Sequence, residues 1–258
     1  MTCRFWGCAL TSSIAVLAAA ASGQGLLYEN GPIVTHPGGG PGGTDYSAVQ
    51  TRIGQQTSGW SVRGQVGDRI ADEFTIPDGQ VWLTESVSLY TMVGDDPDLL
   101  QFMGVQIWDG APNRPDSSLV WGDIDDNILT DNALPGIYRG NDIEPRFESP
   151  VTRSSGEMSA VLGPGTYWIE FSVDTSEFDS PPALIPVNIL GERGKPDANA
   201  LWHRQGAWSA LVDLNLDVGP VPQDIAFDIH GAIVPAPGTA TLILAAGAFA
   251  CRRSRPTR

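Results

Sequence analysis

Thirty carboxylates and three histidines make up most of the reactive chemistry of this 258-residue chain. Carboxylates crowded into one turn can ligate calcium, which takes six to eight oxygens. Two turns have that crowding. Asp95, Asp96 and Asp98 fall in one, and Asp123, Asp125, Asp126 and Asn127 fall in the other. The second opens like the D-x-D-x-N of a calcium loop. Ile128 stands where the glycine belongs and Leu134 where the closing glutamate belongs, so it is not an EF-hand. Calcium is the only cofactor these residues suggest, and solvated turns are the plainer reading. Asp213, Asn215 and Asp217 alternate with Leu214 and Leu216, a pattern that predicts the wet face of a strand.

Catalytic constellations are sparse. His36, His203 and His230 sit in no H-E-x-x-H, and no G-x-S-x-G occurs. A glycoside hydrolase needs only two carboxylates. Glu85 and Glu170 lie in apolar runs, yet no pair stands out among so many acids. The expectation is a non-enzymatic protein.

Tryptophan offers a second chemistry, because aromatic faces stack on the apolar faces of sugar rings. Trp82, Trp108, Trp121, Trp168, Trp202 and Trp208 lie among predicted strands. Trp108 and Trp168 sit inside apolar runs and read as core. Trp202 and Trp208 flank His203, Arg204 and Gln205 and read as a candidate sugar platform for an extracellular polysaccharide.

The elements that would position these groups are strands. Val81 to Val93 alternates, so Val81, Leu83, Glu85, Val87, Leu89 and Thr91 are predicted to share one face. Further short runs follow at regular spacing, from Phe102–Trp108 through Thr166–Val173 to Ile225–Ile233, separated by Gly, Pro and Asp turns. The Gly-rich stretch Gly38 to Gly43 lacks a following Lys-Ser/Thr and reads as a loop, not a phosphate cradle. Neither an internal repeat nor a second-domain boundary is visible. The predicted fold is all-β: a single antiparallel β-sandwich or jelly-roll-like domain over residues 24–233.

Charge and cysteine divide the chain at the same places. All the acids lie between Gln24 and Ile233, with only ten of the fifteen basic residues, so this body carries −20. Such a surface repels nucleic acid and anionic headgroups. Cys3, Cys8 and Cys251 all lie outside it. At about 210 residues it can be stabilised by core burial without disulfides.

The flanking segments predict export. Residues 1–23 read as a signal peptide: Arg4 precedes the apolar Ala9 to Ala21, closed by small residues. Residues 234–258 hold a turn, Val234-Pro235-Ala236-Pro237-Gly238, then an apolar run Thr239 to Ala250, then Arg252, Arg253, Arg255 and Arg258. That run predicts a short hydrophobic helix, shorter than the ~20 apolar residues a spanning helix needs. The arginines mark its cytoplasmic side.

This tail resembles the PEP-CTERM class of bacterial sorting signals, with Ala236 where the best-known box has Glu. The resemblance implies recognition by a membrane exosortase-like enzyme after passage through the export machinery. It also implies a place in the cell envelope, at the cell surface or outside the cell, with membrane contact through the tail. The body motifs ADEFTIPDGQVWLTESVSLYTMV, VQIWDGAPNRPDSSLVWGD, LGPGTYWIEF and QDIAFDIHGAI resemble a family of exported bacterial β-sandwich proteins of uncharacterised function. That likeness implies a fold and export, and no reaction.

Overall fold

The computed structural model describes residues 25–143, 149–177 and 179–235. The predicted signal peptide lies outside them, as do Ala236, Pro237, Gly238, Arg252, Arg253 and Arg255 of the tail.

Strands come in chain order as β1 (Gly25–Asn30), β2 (Asp45–Val49), β3 (Trp60–Ser61), β4 (Arg69–Ile76), β5 (Gln80–Met92) and β6 (Leu100–Trp108). Next are β7 (Leu119–Asp123), β8 (Leu129–Ala133), β9 (Ile137–Asn141), β10 (Ser149–Pro150), β11 (Thr152–Glu157), β12 (Val161–Leu162) and β13 (Gly165–Thr175). The last are β14 (Ala183–Leu184), β15 (Leu201–Arg204), β16 (Ala207–Ala210), β17 (Val212–Asp213), β18 (Val221–Pro222) and β19 (Phe227–Pro235). The only helices among the described residues are short 3-10 turns, so the all-β prediction holds there.

Two large sheets carry the fold. One runs β1-β19-β5-β11-β8, with β12 and β14 also on β5 and β3 on β14; the other runs β16-β15-β4-β13-β6-β7. Val87, Leu89, Phe227 and Ile229 of the first share one buried cluster with Ile70, Phe74, Val105, Ile107, Ile169 and Phe171 of the second. Phe171 and Phe227 meet at 5.8 Å between ring centroids. Each such side chain contributes about 1.5–3 kcal/mol by leaving water.

Not every pair is antiparallel. In a small sheet β10-β9-β2, β2 and β9 run parallel, with Ser47 opposite Arg139. A parallel pair needs a long crossover, and the many residues between these strands supply it.

The predicted face of β5 breaks in the middle. Trp82 and Thr84 are buried, then Val87, Leu89 and Thr91, while Glu85 is exposed. The ladder to β19 pairs His230 with Ser86 but Gly231 with Thr84, leaving Glu85 as an extra residue. This bulge shifts the alternation by one, so Val81, Leu83 and Glu85 do not share the face of Val87 and Leu89. Gly231 permits it: a Cβ there would stand 2.0 Å from the Leu83 carbonyl oxygen.

The predicted wet strand at 213–217 is strand only through Asp213, and its pattern is inverted over 213–216, while Asp217 is exposed as expected. Asp213 is 0% exposed and Asn215 5%, whereas Leu214 is 63% and Leu216 98% exposed. Asp213 Oδ1 accepts hydrogen bonds from Gln56 N, Thr57 N and Thr57 Oγ1, and Oδ2 pairs with Arg193 Nη2 at 3.0 Å. Satisfied polar groups therefore face in and the leucines face out. Replacing Leu216→Ser should change stability by less than ~0.5 kcal/mol, the range for surface changes. Asp213→Asn should cost about 2 kcal/mol, because Arg193 loses its buried partner. Urea unfolding of both variants tests the inversion; equal losses would contradict it.

A second buried acid behaves differently. Asp72 accepts from Asn30 Nδ2 at 2.7 Å, Ile225 N at 2.9 Å and Glu73 N at 2.8 Å. Lys195 bridges Asn30 Oδ1 and Asp224 Oδ2 beside it. Burial, and then the Asp224 carboxylate, hold the Asp72 carboxyl well above its ordinary 3.8. The native state thus binds this proton more tightly than the unfolded chain does. Its contribution to stability is full below 3.8 and declines as pH rises toward the folded value. Melting temperature should fall less between about pH 4 and about pH 7 in Asp72→Asn than in the parent. Identical pH slopes would exclude Asp72 as the cause.

Candidate functional site

The outer face of the six-stranded sheet is built around β13. In its ladders Trp168 stands opposite Glu73 of β4 and Trp108 of β6, and Glu170 stands opposite Ala71 and Gln106. Ala71 in turn faces Leu201 of β15. Directly opposed residues share a face, and alternate residues on one strand share it too. Ile169, Phe171 and Val173 therefore enter the core while Trp168 and Glu170 point away from it.

This outer face carries its own apolar cluster. Ala71, Trp168 and Leu201 are buried in it, with Trp108, Ala111 and Trp208 packed alongside. Trp208 arrives through the tight β15–β16 hairpin, whose turn residues Gln205 and Gly206 both have positive φ, 54° and 80°. That backbone matches the twist of a two-residue hairpin. His203 lies opposite Trp208 with its ring edge toward the indole, 5.1 Å between centroids.

One buried charge holds the face together. Glu170 is 0% exposed. Its Oε1 meets Arg69 Nη1 at 2.9 Å, and its Oε2 accepts from Gln106 Nε2 at 2.7 Å and Trp108 Nε1 at 2.8 Å. The Arg69 guanidinium carbon is 5.9 Å from the centroid of the Trp208 ring. A single carboxylate thus orients one indole directly and stations the cation that covers another. Glu170→Gln keeps the shape but removes the charge from Arg69, and should cost about 2 kcal/mol. A changed Trp emission spectrum should accompany it. Unchanged stability and emission would show that Glu170 does not organise this face.

Beside Trp168 the face opens into a cleft of about 630 Å³. Trp168 and Leu201 form its apolar floor, and Glu73, Asn199 and Thr166 stand on the strand side. The loop after β6 makes the other wall with Asp109, Arg114 and Asp116. That loop is braced internally: Asp109 Oδ1 accepts from Ser118 N at 2.6 Å, and Ser117 Oγ donates to Ala111 O at 2.7 Å. The volume is that of a small-molecule site. Its chemistry suits a hydrophilic ring compound with one apolar face.

The residues singled out from sequence are placed differently. Trp202 is opposite Ser209 and Trp208 is opposite His203, so the two indoles point to opposite faces of the hairpin. Trp202 packs toward the main core with Arg204 5.0 Å from its ring centroid, and Trp208 joins the outer cluster. The hairpin register does not bring them into one platform. Trp168, read as core, is buried as expected but in the outer-face cluster, where it also lines the cleft; Trp108, read as core, is half-buried against that same cluster. Glu170 shares the parity of Trp168, and a charged residue on that face was the available sign that it looks outward.

The acidic turns are used locally. Asp96 Oδ1 accepts from Asp98 N and Asp123 Oδ1 from Asp125 N, each at 3.0 Å. Asn127 Oδ1 accepts from Met103 N and Leu129 N. Among the described residues no three His, Cys, Asp or Glu side chains, those of Asp95, Asp96 and Asp98 included, are grouped to hold a metal ion. Val234 and Pro235 extend β19 two residues past Ile233, opposite Val81 and Gln80. The remaining tail residues lie outside the described residues.

No protein-family model matches the chain, nor does any curated protein or solved structure.

Proposed function

We propose that this chain is an exported, non-enzymatic cell-envelope protein whose body is a single β-sandwich that binds carbohydrate in the cleft beside Trp168. The carrying observation is that cleft: an indole and a leucine on its floor, with carboxylates, amide and hydroxyl groups around it. Sugars need both surfaces, an apolar one for the ring face and hydrogen-bonding groups for the hydroxyls. Trp108, held directly by Glu170, and Trp208, beside the Arg69 that Glu170 binds, extend the apolar surface beyond the cleft. Export and retention in this reading rest on the signal peptide, the Pro-containing box and the arginine-flanked apolar run. An exosortase-like enzyme is the proposed partner of that tail.

A glycan array with the purified chain tests the reading. Thr166 is exposed on β13 at the cleft, so Thr166→Trp should fill it without disturbing the core. Binding to one carbohydrate class, weakened at least about tenfold by Thr166→Trp, is the expected result. A chain that retains no glycan, or a Thr166→Trp variant that binds unchanged, would refute it.

A further inference from the structure

The cleft beside Trp168 carries charge that its own neighbours do not neutralise. Glu73, Asp109 and Asp116 line it against one guanidinium, Arg114. Glu73 is half-buried and sits directly across the ladder from Trp168. Among the described residues its carboxylate accepts no hydrogen bond and meets no cation, and the same is true of Asp116. Asp109 has its Oδ1 occupied by Ser118 N–H. Glu73 and Asp116 thus give the cleft two carboxylates that lack donors.

Building on the carbohydrate reading of this cleft, we infer that its ligand is an amino sugar with a free ammonium group, as in a polymer of unacetylated hexosamine. A neutral sugar docked over Trp168 would desolvate Glu73 with only hydroxyl donors to compensate. An acidic sugar would meet the cleft's carboxylates and a body of net charge −20. An ammonium supplies three donors and the opposite charge at once, making charge-assisted bonds that a hydroxyl does not match. The indole floor adds attraction for a cation near its face. The remaining ring carbons of the sugar rest on Trp168 and Leu201.

Calorimetric titration of the full chain distinguishes the outcomes. The probes are a β-1,4-linked glucosamine hexamer, its fully N-acetylated counterpart, a glucose hexamer of the same linkage and hexalysine. The glucosamine hexamer should bind at least about tenfold tighter than both neutral hexamers at low salt, with the advantage shrinking as salt rises. Glu73→Gln should abolish that advantage. Asp116→Asn, an exposed change that cannot unfold the sheet, should reduce it about threefold. Equal affinity for charged and neutral hexamers would overturn the ammonium preference and leave the carbohydrate site standing. Binding of none of the three sugars would overturn both. Hexalysine binding as tightly as the glucosamine hexamer would overturn the sugar and make the cleft a site for basic peptides.

Discussion

Arg139→Ala should cost about 4 kcal/mol of folding stability, a large part of the 5–15 kcal/mol typical of a domain. Arg139 is 1% exposed, on β9 in the small sheet. Its Nη1 donates to Ser47 Oγ at 2.9 Å, its Nη2 to Thr57 O at 3.2 Å, and its Nε to Ser58 O. Burial lowers its pKa to about 9, so it is still charged at neutral pH. Ser47 is its ladder partner on β2, and Asn188 Nδ2 reaches the same hydroxyl at 3.5 Å. Thr57 Oγ1 leads on to Asp213, and Asp213 to Arg193.

One guanidinium therefore ties the 57–58 segment to the small sheet. Alanine would leave the Thr57 and Ser58 carbonyls and the buried Ser47 hydroxyl without their donor, together with a cavity the size of the side chain. Lysine should restore only part of the loss, since a single ammonium cannot reproduce the fork of donors. Urea denaturation gives the free energies, and hydrogen exchange of the 54–59 segment gives their location. A loss below about 1 kcal/mol for Arg139→Ala would mean that the network is dispensable.

Deleting residues 236–258 should transfer the protein from the envelope to the periplasm or medium. The deletion begins after Pro235 because Val234 and Pro235 belong to the β19 ladder, and a cut at 234 would also trim the sheet. With residues 1–23 removed as a signal peptide, what remains is strongly acidic, and among the described residues its long apolar runs are strands that alternate or enter the core. The deleted segment holds the apolar run and every arginine beyond Arg204. Neutral replacements of Arg252, Arg253 and Arg255 should weaken retention with the apolar run intact, because the arginines resist translocation.

Pro237→Ala separates sorting from plain anchoring while leaving the β19 ladder untouched. A simple stop-transfer segment should hold as well or better, since a proline no longer limits where the helix begins. A sorting box should lose recognition, and uncut precursor should collect in the membrane. Fractionation of tagged variants, with the mass of each product, reads both effects. Retention of the deleted form as firm as that of the full chain would place the anchor in the body instead.

Much of the fold was legible because strand chemistry is local. The alternation in 166–173 and 81–93, and the Gly-Pro-Asp turns between runs, are enough for an all-β expectation. The division into an acidic, cysteine-free body and two flanking segments without any acid is likewise a property of the sequence itself. Period-two alternation says which residues share a face. It cannot say which face meets the second sheet, nor where a bulge reverses the phase.

Those choices belonged to tertiary structure. Glu85 became the extra residue because Gly231, on a distant strand, lets the backbones close. Asp213 faces inward because Gln56 and Thr57, more than 150 residues earlier, satisfy its carboxylate. Trp168 lines a cleft because Ile169 and Phe171 take the core side, and Trp202 and Trp208 part company because their hairpin register separates them. In each case the cost of burying a polar group, or the gain from burying an apolar one, depends on partners brought in from elsewhere in the chain. Only the folded arrangement supplies those partners, so only it could turn a list of acids and tryptophans into a site.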